Sequence, residues 1–263
     1  MSESHRFQCT LCGKCCYGQV PLTYKDAIAH AGLFPLGIIW TPVQRGSKDF
    51  KRVRELGVSI PLPAPKELVS LIVPTAFIPS TFKCPALVDG KMCGIQKEKP
   101  SRCKTMPFYP YRDERFQGEN LKPKQGWECD ISDAAPIVYD GKSIVLREDF
   151  DQEKTDLLEQ IPILKKYAEY MFKYSAGLAE RLWQASMQEK GGHIITSLSS
   201  LLTAIRHPDA VQIASKQLPV LKAYAAMTAS DPKLGEFNAY YSGWAMEMTY
   251  LSEPRSLSHL PHR

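Results

Sequence analysis

Cys9-Thr10-Leu11-Cys12-Gly13-Lys14-Cys15-Cys16 is the stretch on which the reading of this chain turns. It holds four cysteines, and four more follow at Cys84, Cys93, Cys103 and Cys129. Disulfides would suit a small secreted domain that cannot build a core. This chain has 263 residues, 44% of them hydrophobic, which is enough for one large domain or two modest ones. Its first residues, Met1 to Arg6, are polar and lack the apolar run of a signal peptide. Ordinary buried cysteines would be scattered rather than set at two-residue gaps. A catalytic thiol needs one or two cysteines with a base nearby. Metal ligation is the reading that uses the whole set.

The spacing speaks to which metal. Zinc sites in small domains usually draw on two separated Cys-x2-Cys pairs. Here the first group is an overlapping run, Cys9-x2-Cys12-x2-Cys15, followed by Cys16 and then by four widely spaced cysteines. Three cysteines at two-residue gaps with a distant fourth is the bacterial ferredoxin pattern for a cubane cluster. The pattern favours iron–sulfur, up to two [4Fe-4S] clusters on eight ligands, and leaves zinc open. Successive side chains of an extended chain point to opposite faces, so Cys15 and Cys16 are expected to serve different sites. That expectation gives Cys9, Cys12 and Cys15 one partner from the second group, and gives Cys16 the other three.

Working outward, the charge is uneven. Residues 1–150 hold 21 Lys and Arg against 16 Asp and Glu, whereas residues 151–263 hold 12 of each. The whole surplus of +5 lies in the part with the cysteines, where it would offset the negative charge of metal thiolates. Arg102 and Lys104 flank Cys103 beside the aromatic run Phe108-Tyr109-Pro110-Tyr111. Two roles stand open for them, offsetting cluster charge or binding an anionic ligand next to it. No basic stripe interleaved with aromatics speaks for nucleic acid. No run reaches the roughly 18 apolar residues of a membrane helix. The expected location is the cytoplasm, with an unidentified protein or redox partner. No glycine-rich phosphate loop, Ser/His/Asp order or paired-carboxylate motif stands out.

Thr23 with Asp26 reads as the cap of a short helix from Tyr24 to His30. Residues 33–80 are rich in proline and lack a sustained period, which predicts short strands and ordered loops. Prolines at 85, 100, 107, 110 and 123 keep long helices out of the second cysteine group. Ile137–Tyr139 and Ile144–Leu146 flank Asp140-Gly141 as a hairpin. Beyond residue 150 helical period takes over. Leu157, Leu158, Ile161, Leu164, Ala168, Met171 and Phe172 share one face, with a kink or restart at Pro162. A second run holds Ile194, Leu198, Leu201, Leu202 and Ile205. A third spans 209–228 with a break or restart at Pro219, and a last one, capped by Ser230, reaches Leu251. The tail after Pro254 reads as disordered. The expected fold is α+β: an irregular, metal-stabilised, cysteine-rich domain of short strands and helices over residues 1–150, then a helical bundle over 151–263.

The ordered set Cys9-x2-Cys12-x2-Cys15-Cys16, Cys84-Pro85-Ala86-Leu87, Cys93-Gly94-Ile95 and Pro100-Ser101-Arg102-Cys103-Lys104-Thr105-Met106-Pro107-Phe108 resembles the YkgJ-type cysteine-cluster family. Gln96, Lys99 and Lys104 depart from its usual residues and leave the ligands untouched. The resemblance implies a zinc- or iron-chelating domain, often labelled an iron–sulfur oxidoreductase, with Cys129 as the last ligand. The same family includes the cysteine-rich part of flagellin lysine N-methylase. Three functions therefore stand as expectations: a redox protein passing electrons through its clusters, a protein-modifying enzyme such as a lysine methyltransferase, and a zinc-stabilised scaffold that binds a partner.

Overall fold

The computed structural model describes residues 4–253 apart from residues 48, 90, 91 and 190, so the tail after Pro254 lies outside the described residues. In chain order the elements are β1 (His5–Arg6), β2 (Val20–Pro21), α1 (Tyr24–Ala29), β3 (Leu36–Gln44), α2 (Phe50–Leu56), β4 (Val58–Ser59), β5 (Leu68–Ala76), β6 (Leu87–Val88), β7 (Met92–Cys93), α3 (Ser101–Thr105), β8 (Ile137–Tyr139), α4 (Glu148–Glu159), α5 (Ile161–Tyr174), α6 (Leu178–Ser186), β9 (Ile194–Ser197), α7 (Leu198–Ile205), α8 (Ala210–Thr228) and α9 (Gly235–Ser252). The class is α+β, with a helical C-terminal region after the cysteine-rich part.

Two nine-residue strands, β3 and β5, pair antiparallel along their whole length, from Leu36 opposite Ala76 to Gln44 opposite Leu68. They are longer than the short strands expected for this region. Most of their residues are buried on both faces, so the alternation that marks a half-exposed strand is missing from the sequence. Pro74 sits inside β5 without breaking the β3 ladder. Its carbonyl accepts from Leu22 N at 2.8 Å on the β2 side, and the N and C=O of one residue face the same way. The missing donor therefore faces β2 rather than β3. β2 and β4 extend the sheet beyond β5, and β9 closes it beyond β3.

Helices cover both faces. Trp40 packs on Tyr167 and Phe172 of α5. Gly37, three residues earlier and thus on the opposite face, lies under Trp244 of α9, where an added Cβ would come within 2.5 Å of the ring. Phe77, just past β5, joins Tyr240, Tyr241 and Trp244 in an aromatic cluster, and Tyr241 Oη donates to its carbonyl. Tyr241 and Trp244 are buried core, and Tyr240 packs against them. Each large apolar side chain buried there contributes about 1.5–3 kcal/mol.

Ile194–Ser197 corrects the expected helical run. It is β9, paired with Gly37–Trp40, and the helix starts only at Leu198. The Ile-Ile-Thr segment is β-branched, and Ser197 caps α7 by accepting from Ser200 N. α8 runs unbroken through Pro219. Pro162 restarts the chain as α5. Asp231, not Ser230, caps the turn that leads into α9.

The boundary expected near residue 150 does not coincide with a break in the core. One hydrophobic cluster joins Leu22, Leu36, Ile38, Trp40 and Ile72 to Leu164, Tyr167, Leu201, Leu221, Tyr241 and Met248. The helical part completes the sheet rather than standing beside it. The cysteine-bearing segments contribute only Phe82, Cys84 and Ile95 to the edge of this cluster. A smaller core of Phe108, Leu121, Val138, Tyr139, Ile144 and Phe150, with Phe7 against it, backs them.

Candidate metal centre

Three short antiparallel pairings gather the cysteine segments. In the first, β1 pairs with β8, and Gln8 and Asp130 exchange both backbone hydrogen bonds at 2.8 and 3.0 Å. Thr10 Oγ1 continues that pairing by donating to Glu128 O at 2.9 Å. Cys9 thus stands directly opposite Cys129. In the second, Tyr17 bridges Lys83, and Cys84 N donates to Cys16 O at 2.8 Å. In the third, β6 and β7 set Leu87 against Cys93, and Gly94 N donates to Ala86 O at 2.7 Å. Between the first two pairings the loop turns on itself. Leu11 (φ 59°) and Gly13 (φ 72°) are both left-handed, and Cys16 N reaches back to Gly13 O at 3.0 Å. For leucine that conformation costs roughly 1–2 kcal/mol, so the loop is held by its surroundings.

Cys103 comes from α3, which is anchored on three sides. Ser101 N donates to Asp26 Oδ2 at 3.0 Å, Ser101 Oγ to Asp156 Oδ2 at 3.3 Å, and Thr105 Oγ1 to Asp149 O at 3.3 Å. Asp26 also serves α1, where Thr23 caps as expected by accepting from Asp26 N at 3.0 Å. One carboxylate therefore ties the first helix of the sheet body to the cysteine segments.

All eight cysteines are free thiols; Cys9 and Cys15 are exposed and the other six are partly buried. They feel one another. Burial pushes Cys103 up to about 12, helped by Cys84, Cys15 and Cys93 and opposed by Arg102. Burial also raises Cys84, reinforced by Cys93 and Cys15. Cys129 is raised by burial and then by Cys12, Cys9 and Cys15. Cys15 is held at about 6, first because Cys16 donates a hydrogen bond to its sulfur, with Lys99 adding to the effect. Cys16 is raised by the same bond. Among the described residues no three His, Cys, Asp or Glu side chains converge closely enough to hold a single ion as they stand. In kind and number the donor set fits a thiolate-bound metal group. Thiols crowded until they resist ionising become ligands once a cation supplies the missing positive charge.

Residues 8–130 match the family model CxxCxxCC, described as a putative zinc- or iron-chelating domain. The match bears out the cysteine-cluster resemblance and makes metal binding the coarse function of this part of the chain. No curated protein and no solved structure matches the chain.

Arg102 and Lys104 sit differently in the CxxCxxCC domain. Lys104 is exposed on the last turn of α3. Arg102 is buried. Its Nη1 lies 3.5 Å from Glu153 Oε2 of α4, its Nη2 donates to Phe108 O, and its guanidinium stacks 5.1 Å from the Tyr109 ring. That engagement makes Arg102 a clamp between the domain and α4 rather than a group open to an anionic ligand. Glu153 had no local signal in the sequence, because its partner lies 51 residues away. The buried Gln117 was missed as well. It donates to Tyr109 O and Arg112 O and accepts from Tyr109 N, so it shapes the loop after Phe108.

Proposed function

We propose that the CxxCxxCC domain carries cubane iron–sulfur clusters, up to two, and that the protein passes electrons through them to a redox partner. The observation that carries the reading is the pairing of residues 8–17 with residues 82–84 and 128–130, which brings the ferredoxin-like run against Cys84 and Cys129, two of the four distant cysteines. When bound, such a cluster takes up and releases single electrons. The chain's own residues supply the setting. Lys99 and Arg102 place positive charge beside Cys15 and Cys103, which stabilises thiolate ligands. Cys9 and Cys15 are exposed, and the apolar side chains of Leu11 and Tyr17, two residues from them in the chain, stand open to solvent, as a partner surface would require. No described helix is long and apolar enough to cross a membrane, and eight free thiols fit the reducing cytoplasm.

The test is elemental analysis of anaerobically purified protein followed by dithionite reduction. Iron and acid-labile sulfide in equal amounts, with visible absorption that bleaches on reduction, are expected. A colourless protein holding one zinc per four cysteines, with no redox response, would replace this reading by the zinc-stabilised scaffold.

A further inference from the structure

We infer that the eight cysteines form two separate centres, one of Cys9, Cys12, Cys15 and Cys129 and the other of Cys16, Cys84, Cys93 and Cys103, joined at the Cys15–Cys16 peptide bond. The inference rests on the metal-binding reading above and holds whether the metal is iron or zinc. Backbone register decides the pairings. The reciprocal Gln8–Asp130 bonds put Cys9 and Cys129 in register, where Cα atoms stand about 4.5–5.5 Å apart and side chains share a face. The Tyr17–Lys83 bridge does the same for Cys16 and Cys84. These two bridges lie at opposite ends of the same loop, so Cys129 goes with the start of the run and Cys84 with its end.

The remaining ligands follow. The β6–β7 hairpin begins three residues after Cys84 and returns Cys93 beside it through Leu87, whose N donates to Cys84 O at 3.0 Å. Cys103 lies within electrostatic reach of both Cys84 and Cys93. Cys12 lies on the left-handed loop between Leu11 and Gly13 and is in reach of Cys129. Cys15 lies within electrostatic reach of both Cys103 and Cys129, and its place before Cys16 on the loop that follows Cys9 and Cys12, with the count of four per centre, gives it to the first. Each centre then spans the same two regions of chain, and the two are neighbours through a single peptide unit.

The test uses the full-length protein, prepared anaerobically, with metal content and absorption read on the parent and on cysteine-to-serine variants. The parent should hold two equal centres. C9S, C129S, C84S and C103S should each lose half the metal. The double variant C9S/C129S should lose no more than half, whereas C9S/C103S should lose all of it. If C9S and C103S erase the same half, or if C9S/C129S empties the protein, the division is wrong. A parent that binds no metal refutes the metal reading itself, which is a different outcome. A second measurement avoids substitutions. During partial chelation of the parent, alkylation mapped by mass spectrometry should find thiols released in these two blocks of four. Release in mixed blocks overturns the assignment.

Discussion

Glu153→Leu tests how the cysteine domain is fastened to the body. Arg102 and Glu153 side chains are 4% and 3% exposed, yet their closest approach is 3.5 Å, and Arg102 Nε, Arg102 Nη1 and Glu153 Oε2 have no hydrogen-bond partner. A buried pair so imperfectly satisfied adds little over two apolar side chains, but removing one member leaves an uncompensated charge, at a cost of about 3–5 kcal/mol. The double variant Arg102→Met/Glu153→Leu removes both charges. It still loses the bond to Phe108 O, worth about 1.5–3 kcal/mol for a charged donor, and the contact with Tyr109, worth about 1 kcal/mol. Relief of the buried charges, put at about 1–4 kcal/mol, offsets much of that loss. Urea unfolding should therefore place E153L lowest and the double variant within about 2 kcal/mol of the parent. Because Arg102 adjoins Cys103 on α3, E153L should also loosen metal held through Cys103. A cost below about 1 kcal/mol for E153L, or a double variant as unstable as the sum of the singles, refutes the clamp.

The same carboxyl sets a pH dependence: burial raises it, and Arg102 only partly pulls it back. A carboxyl raised in the folded state favours the fold while protonated, and that contribution fades as pH climbs above the ordinary value of 4.5. The parent should lose stability relative to Glu153→Gln as pH rises above the ordinary value of 4.5, and parallel urea midpoints would contradict this. Gly37→Ala drives a methyl into the Trp244 ring and should cost about 1–3 kcal/mol, read as a lower melting temperature. Chelation of all metal should leave most of the far-ultraviolet circular dichroism, since the main core contains no buried cysteine. Collapse of the helical signal would show that the metal also holds the sheet body together.

The cysteine set, the Thr23 cap and the restart at Pro162 were legible because each rests on a local signal. What was not legible rests on distance or on burial. β3 and β5 hid because strands covered on both faces lose their alternation, and Pro42 and Pro74 argued against them. Ile194 to Ser197 fitted a helical period by chance, and a partner strand more than 150 residues away decides its conformation. The shared core blurred the boundary at residue 150 because cysteine content and helical period changed there while packing did not. At the site, the cysteine positions and their spacing could be read, whereas the turn through Leu11 and Gly13 could not, because a left-handed leucine announces itself nowhere in a sequence.

The pairing of Gln8 with Asp130 also dictates an order of events during synthesis. Cys9 leaves the ribosome long before Cys129 exists, and at roughly 5–20 residues per second the wait is about 6–24 s. Throughout that interval the run from Cys9 to Cys16 is an open nest of thiols without its closing strand. The sheet strands that follow are in the same position, since β9 and the helices that cover them come later still. Nascent chains of this protein are thus most exposed to oxidation and to the wrong metal before residue 130 emerges, and whatever delivers the metal does best by arriving after it.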